Sequence, residues 1–255
     1  MLCEIFTLGR CTMIFEYLKY PSEEEWNNIC KEHEIINNLY LDGKSTGKST
    51  NGVLDFYYNL QFQEFLMQFN NKLGEVRMTY IFLMNYFKTN IPDKELIKPG
   101  ESGGIKYFPK FEDKDFYNKM MFDYYCDIFY HKFFSVWDFK FHLINIYYRL
   151  EIKSNPSFNR NVMDRLSKKD HDLFTFLNKN NHDNEMEIGR DFRNDLTHNY
   201  PPNYVGGIAE KEERDGDIVI SGKVRYTSTS EFVNNINRLI ELLNECIIEL
   251  EKKFI

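Results

Sequence analysis

Two long stretches of apolar residues at helical spacing constrain the fold of this chain more than any other feature. In the first, between Val53 and about Thr89, apolar residues recur at steps of four and three: Tyr58, Phe62, Phe65, Phe69, Leu73, Val76, Tyr80, Leu83 and Phe87. This spacing is typical of a helix with one buried face. We therefore predict one long helix through Gly74, with two helices broken near Asn70-Asn71 as the alternative.

The second stretch runs from about Asp113 to Lys153 and ends before Pro156. Its apolar positions form two successive stripes, which are Tyr117, Met121, Tyr124 and Ile128, and then Phe134, Trp137, Phe141, Ile144 and Tyr148. The spacing predicts a second long helix. One or two shorter helices are predicted within residues 157–180, divided where Ser167-x-x-Asp170 could cap a new start.

Capping signals mark three further helices. Ser22-x-x-Glu25 predicts a helix from Pro21 to about Tyr40, and Asn184-x-x-Glu187 predicts the start of another. Ser228-x-x-Glu231 precedes the clearest amphipathic stretch of the chain, whose apolar face is Phe232, Ile236, Leu239, Leu243, Cys246 and Leu250. We expect a long C-terminal helix there.

The segments between these helices carry turn residues. Residues 90–111 contain three prolines and three glycines and are predicted as a loop. Asp217–Ile220 and Lys223–Tyr226 flank Ser221-Gly222, which predicts a small hairpin. The chain is therefore predicted to be all-α, a bundle of long antiparallel helices with a small β-hairpin before the C-terminal helix.

The only candidate boundary between domains is the segment 41–52. It contains Gly43-Lys44-Ser45-Thr46-Gly47-Lys48-Ser49-Thr50, which is similar to a phosphate-binding loop but has Asp42 where that motif needs glycine. A helix rather than a buried strand is predicted before it. We interpret the segment as a flexible linker, which divides the chain into an N-terminal extension, residues 1–52, and a helical domain, residues 53–255.

Composition excludes several classes of protein. A net charge of −7 argues against a non-specific nucleic-acid coat protein, while 23 Phe and 17 Tyr supply a large core. The five cysteines are scattered without a CxxC pair, which is typical of reduced thiols in the cytoplasm. No apolar run is long enough to span a membrane, and the N-terminus is a poor signal peptide. Without HExxH or paired CxxC spacing, we expect no metal site and no other cofactor.

One short stretch contains the strongest candidates for chemistry: Arg193-Asn194-Asp195-Leu196-Thr197-His198-Asn199-Tyr200, followed by Pro201-Pro202. A helix is expected to enter it, and the prolines should end that helix. On an ideal helix Arg193 and His198 lie about 140° apart, whereas Asn194 and His198 share a face. A guanidinium can grip a phosphate with two hydrogen bonds while an imidazole moves a proton near neutral pH.

This stretch resembles the Arg-x4-His signature of the HEPN superfamily, many members of which are ribonucleases in defence, toxin–antitoxin and CRISPR systems. Asn194 matches the polar residue that often follows the arginine. Tyr200 matches the longer Arg-x4-His-x-Tyr form of HEPN toxins that are paired with nucleotidyltransferase antitoxins. The late position in a helical domain, followed by one more long helix, is also similar. The clear resemblance covers about residues 184–200.

The resemblance implies a metal-independent endoribonuclease in which the RNA 2′-OH attacks the adjacent phosphate. It implies His198 as general acid or base and Arg193 as the group that stabilises the phosphate charge. Asn194 and Arg190 are predicted to support substrate binding, and Tyr200 to support binding or to accept a modification from an antitoxin. A homodimer with facing motifs is implied, in a bacterial defence or toxin setting.

The alternative interpretation gives the same residues a purely structural role. Arg193 could pair with Asp195 or Glu187 on the surface, and His198 could interact with the helix dipole. The alternative function is then a non-catalytic HEPN-like helical protein that binds RNA or a protein partner. The sequence does not indicate the RNA target, the trigger or the role of residues 1–52.

Overall fold

The computed structural model describes residues 18–43, 52–99, 105–214 and 217–254. Within these ranges the seven α-helices are α1 (Glu23–Glu32), α2 (Val53–Phe87), α3 (Asp113–Tyr147), α4 (Phe158–Lys169), α5 (His171–Asn181), α6 (Asn184–His198) and α7 (Thr229–Lys253). The strands are β1 (Ile97–Pro99), β2 (Ile105–Tyr107), β3 (Gly206–Arg214) and β4 (Asp217–Arg225). The predicted all-α class is confirmed.

The two long helices α2 and α3 are the centre of the bundle. Phe62 contacts Tyr147 near one end of the pair, and Phe87 contacts Phe122 near the other. Residue numbers therefore rise along α2 as they fall along α3, so the predicted antiparallel arrangement is confirmed. Each helix has 35 residues, and α2 continues unbroken through Gly74.

The alternative break of α2 near Asn70-Asn71 is wrong. Asn70 instead faces the N-terminal segment, where its side chain accepts a hydrogen bond from the Leu41 amide at 2.9 Å and donates to the Leu41 carbonyl at 3.0 Å. Ile29, Ile36 and Leu41 are buried in the same core as the long helices. The segment before the predicted linker thus packs on the bundle.

Two helices are shorter than predicted. The helix predicted from Pro21 to about Tyr40 ends at Glu32 and is followed by a short 3-10 helix, Glu34–Asn38. The helix predicted to reach Lys153 ends at Tyr147, because the Asn145 side chain binds the backbone NH and carbonyl of Ile152 and turns the chain back.

The predicted division within residues 157–180 is confirmed, although its cap differs. Helix α4 ends at Lys169, and the carboxylate of Asp170 accepts a hydrogen bond from the Leu173 amide at 2.9 Å. Asp170 rather than Ser167 is therefore the N-cap of α5.

The strands correct two predictions. Residues 90–111, predicted as a loop, contain the hairpin β1–β2, in which Ile97 pairs with Tyr107. A hairpin before the last helix is confirmed, but Ser221-Gly222 is not its turn. Gly222 lies within β4 opposite Ala209, and nine residues of each strand pair. The longer pairing makes more backbone hydrogen bonds than two four-residue strands could make.

Helices α6 and α7 complete the bundle beside α3. The predicted capping box of α7 is confirmed, with the Ser228 hydroxyl bound to the Glu231 amide and the Glu231 carboxylate bound to the Ser228 amide. Trp137, Tyr80 and Tyr130 are the largest fully buried side chains of the described residues. Cys30, Cys126 and Cys246 are buried free thiols.

Most of the predicted linker, residues 44–51, and the apolar residues 1–17 lie outside the described residues.

Candidate active site

Helix α6 holds the Arg-x4-His stretch against the bundle. It begins one residue earlier than the predicted capping box requires: Asp183, not Asn184, is the N-cap, and its carboxylate accepts from the Glu185 amide at 3.0 Å. The helix ends at His198, before the two prolines, as predicted. A Cβ atom added to Gly189 would lie 3.0 Å from Leu239 Cδ1, so this glycine lets α6 approach α7 closely.

Arg193 is oriented by an aromatic ring on α3. Its guanidinium carbon lies 5.0 Å from the centre of the buried Phe134 ring, and Nη2 donates to Asn194 Oδ1 at 3.0 Å. Among the described residues no carboxylate is paired with Arg193, so the surface ion pair with Asp195 or Glu187 is not formed. A half-buried guanidinium that rests on a ring and keeps free N–H groups is well suited to bind an anion.

Arg190, one turn earlier, is held by the backbone. Its Nη1 donates to the Asn181 carbonyl at 2.7 Å, and its guanidinium carbon lies 6.0 Å from the Phe134 ring. Burial lowers the pKa of Arg190, with Asp138 opposing that effect. Arg190 thus links the end of α5, through Asn181, to α3, through Phe134. It also adds positive charge beside Arg193.

His198 and Arg193 lie on different sides of α6. His198 is exposed at the helix end, and within the described residues it makes no hydrogen bond or ion pair. Arg193 contacts α3 instead. Asn194 is exposed near His198 on the helix surface, and Tyr200 is 38% exposed with its ring edge-on to Tyr204. One chain therefore presents the two predicted catalytic groups in separate directions.

Two residues of α3 that contact the motif were not predicted as site residues, although Phe134 belongs to a predicted apolar stripe. The Nε2 atom of His131 lies 3.2 Å from the Thr197 hydroxyl oxygen and 3.4 Å from Asp127 Oδ1. Phe134, whose ring contacts the Arg193 guanidinium, lies one turn further along α3. The three-residue spacing of His131 and Phe134 places them on one face. That spacing is the only local signal for this pair in the sequence. It does not reveal which helix packs on the shared face, so the pair could not be assigned to the site.

A cleft of about 590 Å³ opens beside the end of α6. One wall consists of Phe192 and Asp195 from the helix, with Asn199, Tyr200 and Pro202 from the chain that follows it. The opposite wall is formed by Tyr226 and Thr227, which precede α7. The Thr227 amide donates to the Pro202 carbonyl at 2.7 Å and so joins the two walls.

Within the described ranges, no group of three or more His, Cys, Asp or Glu side chains is arranged to hold a metal ion. In the same part of the chain, none of the helices combines the length and the apolar character needed to cross a lipid bilayer.

Comparison with known proteins identifies a family but no individual relative. Neither the curated proteins nor the solved structures include a match to this chain. The model of the family described as HEPN_Cthe2314-like HEPN matches residues 65–254, which include α3, α6, α7 and the whole Arg193–Tyr200 stretch. The chain therefore belongs to the HEPN_Cthe2314-like HEPN family.

Proposed function

We propose that the protein is a metal-independent endoribonuclease. The observation that carries this proposal is the placement of Arg193, which rests on the Phe134 ring without a carboxylate partner among the described residues. On the same short helix, His198 is exposed and free of hydrogen bonds within the described chain. An available guanidinium and an available imidazole are the two groups that cleavage of a phosphodiester by internal attack requires.

In the proposed reaction the RNA 2′-oxygen forms a bond to the adjacent phosphorus as the bond from phosphorus to the 5′-oxygen breaks. The proton of the 2′-OH passes to the imidazole of His198, and the imidazolium that results passes a proton to the departing 5′-oxygen. Arg193 would neutralise the charge that grows on the non-bridging oxygens. Asn194 would hold the guanidinium through its 3.0 Å hydrogen bond.

We further propose that the working site is shared by two copies of the chain. Arg193 contacts α3, whereas His198 is exposed at the helix end about 140° away. Facing a second copy across a two-fold axis would bring the arginine of one chain toward the histidine of the other. A homodimer is therefore part of the proposal.

A toxin or defence setting belongs to the same proposal. Tyr200 would be the acceptor for a nucleotidyltransferase antitoxin, since its side chain is 38% exposed at the rim of the site. Adding a nucleotide there would place a bulky anion two residues from His198. Such a modification would block substrate entry, which is a direct way for a partner to silence the enzyme.

A second candidate function rests on another surface. At the start of α2, Val53, Leu54 and Phe56 are 88%, 62% and 65% exposed. Apolar side chains grouped in this way mark a contact with another protein more often than a solvated surface. A binding protein without catalytic activity would use this surface, and Arg193 and His198 would have no catalytic role.

The deciding experiment is RNA cleavage by the purified full chain with and without EDTA, beside His198→Ala. We expect cleavage that resists EDTA, leaves a 2′,3′-cyclic phosphate and is lost in the variant. His171→Ala, which changes a histidine at the start of α5, is the matched control and should keep full activity. Equal cleavage by wild type and His198→Ala would refute the proposal, and absence of cleavage on all RNAs would favour the binding function.

A further inference from the structure

The cleft beside α6 has walls suited to a flat aromatic ligand. Phe192 is fixed by contacts with the rings of Tyr130 and Phe232, whose centroids are 5.7 and 4.7 Å away. Tyr226 is fixed because its hydroxyl donates to the buried Asp93 carboxylate at 2.7 Å. Tyr200 stands at the rim and is partly exposed. Phe192 and Tyr226 thus give the cleft rigid walls, and the partly exposed ring of Tyr200 offers a face on which a nucleobase can stack.

The polar groups of the cleft determine which ligand fits. Asp195 Oδ1 accepts a hydrogen bond from Asn199 Nδ2 at 2.8 Å, which fixes the carboxylate on the cleft wall. Oδ2 and the second lone pair of Oδ1 remain to accept hydrogen bonds from a ligand. A carboxylate repels phosphate and selects ligands with N–H donors. The cleft therefore favours the base of a nucleotide over its phosphate.

Guanine matches this carboxylate better than the other bases of RNA. Its N1–H and N2–H₂ groups are adjacent donors on one edge and can bind the two oxygens of a carboxylate together. Adenine, cytosine and uracil each present only one donor group on that edge. The volume of the cleft, about 590 Å³, is within the range of pockets that bind small molecules.

The cleft also lies close to the proposed catalytic histidine. On a regular helix Asp195 and His198 are about 60° apart, whereas Asp195 and Arg193 are about 160° apart. A base held by Asp195 would thus keep its own phosphate near His198.

We propose that the Asp195 cleft is a guanine-binding subsite for the RNA nucleotide beside the cleaved phosphate. This proposal rests on the ribonuclease function proposed above and adds a base preference to it. Tyr200 would stack on the base, and Asp195 would bind its Watson–Crick edge.

The test measures binding, so it does not depend on cleavage. Short 2′-O-methyl RNA lacks the attacking hydroxyl, and its binding to the full chain is followed by fluorescence anisotropy. The probes are four pentamers of uridines with guanine, inosine, adenine or uracil in the centre. We expect the guanine probe to bind about tenfold more tightly than the others, inosine included, because inosine lacks the N2 amino group.

Two pairs of variants locate the preference. Asp195→Asn should remove the tenfold preference for guanine, and Asp191→Asn, one turn earlier on the exposed face of α6, should keep it. Tyr200→Ala should weaken binding of all four probes about tenfold, while Tyr200→Phe keeps the ring and the affinity. Thermal unfolding should be unchanged in each variant.

The outcomes separate the two proposals. Equal binding of all four probes, no binding of any probe, or a guanine preference that survives Asp195→Asn would overturn the guanine subsite, even if RNA cleavage depends on His198. A guanine preference that Asp195→Asn removes would support the subsite, even if His198→Ala leaves cleavage unchanged and the ribonuclease function fails.

Discussion

The imidazole of His131 and the hydroxyl of Thr197 are 3.2 Å apart and join α3 to the residue that precedes His198. The Thr197 hydroxyl donates its only proton to the Arg193 carbonyl at 2.7 Å. His131 Nε2 must therefore be the donor toward Thr197. This contact anchors the last turn of α6, which ends at the proposed catalytic residue His198.

Loss of this contact should impair cleavage more than it impairs folding. We expect His131→Leu to lower the free energy of unfolding by about 0.5–1.5 kcal/mol and the cleavage rate about tenfold. His131→Gln retains an N–H donor and should recover most of the rate. Urea unfolding and single-turnover cleavage measure the two effects. A rate in His131→Leu equal to that of wild type would show that the last turn of α6 needs no anchor.

The guanidinium of Arg193 should be irreplaceable by an ammonium group. Arg193→Lys keeps the positive charge but loses the planar fork and much of the contact with Phe134. Under the proposed function, we expect the cleavage rate to fall about 10²- to 10³-fold, with the free energy of unfolding within about 0.5 kcal/mol of wild type. Arg165→Lys, on the exposed surface of α4, is the control and should behave as wild type. Full activity of Arg193→Lys would mean that a point charge is sufficient.

Two inactive variants should restore each other if the site is shared between chains. Co-expression of Arg193→Ala with His198→Ala under two affinity tags yields mixed dimers that contain one complete Arg–His pair. We expect tandem-purified mixed dimers to recover about half of the wild-type rate, since one of two symmetric sites is intact. Each variant alone should remain inactive. Inactive mixed dimers would place both groups of one site in the same chain.

Lys140 should make stability depend on pH. It is 1% exposed, its Nζ donates to the Trp137 carbonyl at 2.6 Å, and that atom lies 3.6 Å from the centre of the Trp137 ring. Burial lowers the pKa of Lys140 to about 7, because the charged form is desolvated. Between about pH 7 and pH 9 the unfolded chain keeps this proton while the folded chain has released it.

The free energy of unfolding should therefore rise with pH in this window, by up to about 1.4 kcal/mol per pH unit. Above about pH 9 the rise is offset, since burial raises the pKa of the Cys246 thiol to about 11 and the folded chain then keeps a proton that the unfolded chain loses. Urea unfolding at pH 7, 7.5, 8 and 8.5 measures the rise. Lys140→Met should flatten it and add about 1–4 kcal/mol at pH 7.

Lys132→Met is the matched control for this prediction. Lys132 is on the same helix, but it is partly exposed and paired with Glu75 at 2.9 Å. Its replacement should leave the dependence of stability on pH unchanged. A wild-type protein whose stability is constant from pH 7 to 8.5 would contradict a neutral Lys140 in the folded state.

The helices that the sequence predicted well are those with one continuous apolar face. Helices α2, α3 and α7 repeat apolar residues over many turns, so their spacing is informative over a long window. The hairpin β1–β2 was missed because its three-residue strands are too short to show a pattern. The turn of β3–β4 was misplaced because strand pairing is decided by the whole length of both strands rather than by one Ser-Gly pair.

Some residues of the candidate site belong to one local motif, and others reach the site only through tertiary contacts. Arg193 and His198 could be identified because they belong to one short motif on one helix. Phe134 and His131 could not, because their contacts with α6 join residues about sixty positions apart. The cleft was also inaccessible from the sequence, since Tyr226 becomes the neighbour of Asp195 only after α7 packs against α6.

The separation of Arg193 from His198 on α6 has a consequence for the control of the protein in a cell. If each site needs two chains, the number of sites grows with the square of the chain concentration while monomers predominate. A tenfold increase in expression would then raise activity up to about a hundredfold. Under the proposed ribonuclease function, basal synthesis would cleave little host RNA, and a modest burst of synthesis would be sufficient for extensive cleavage.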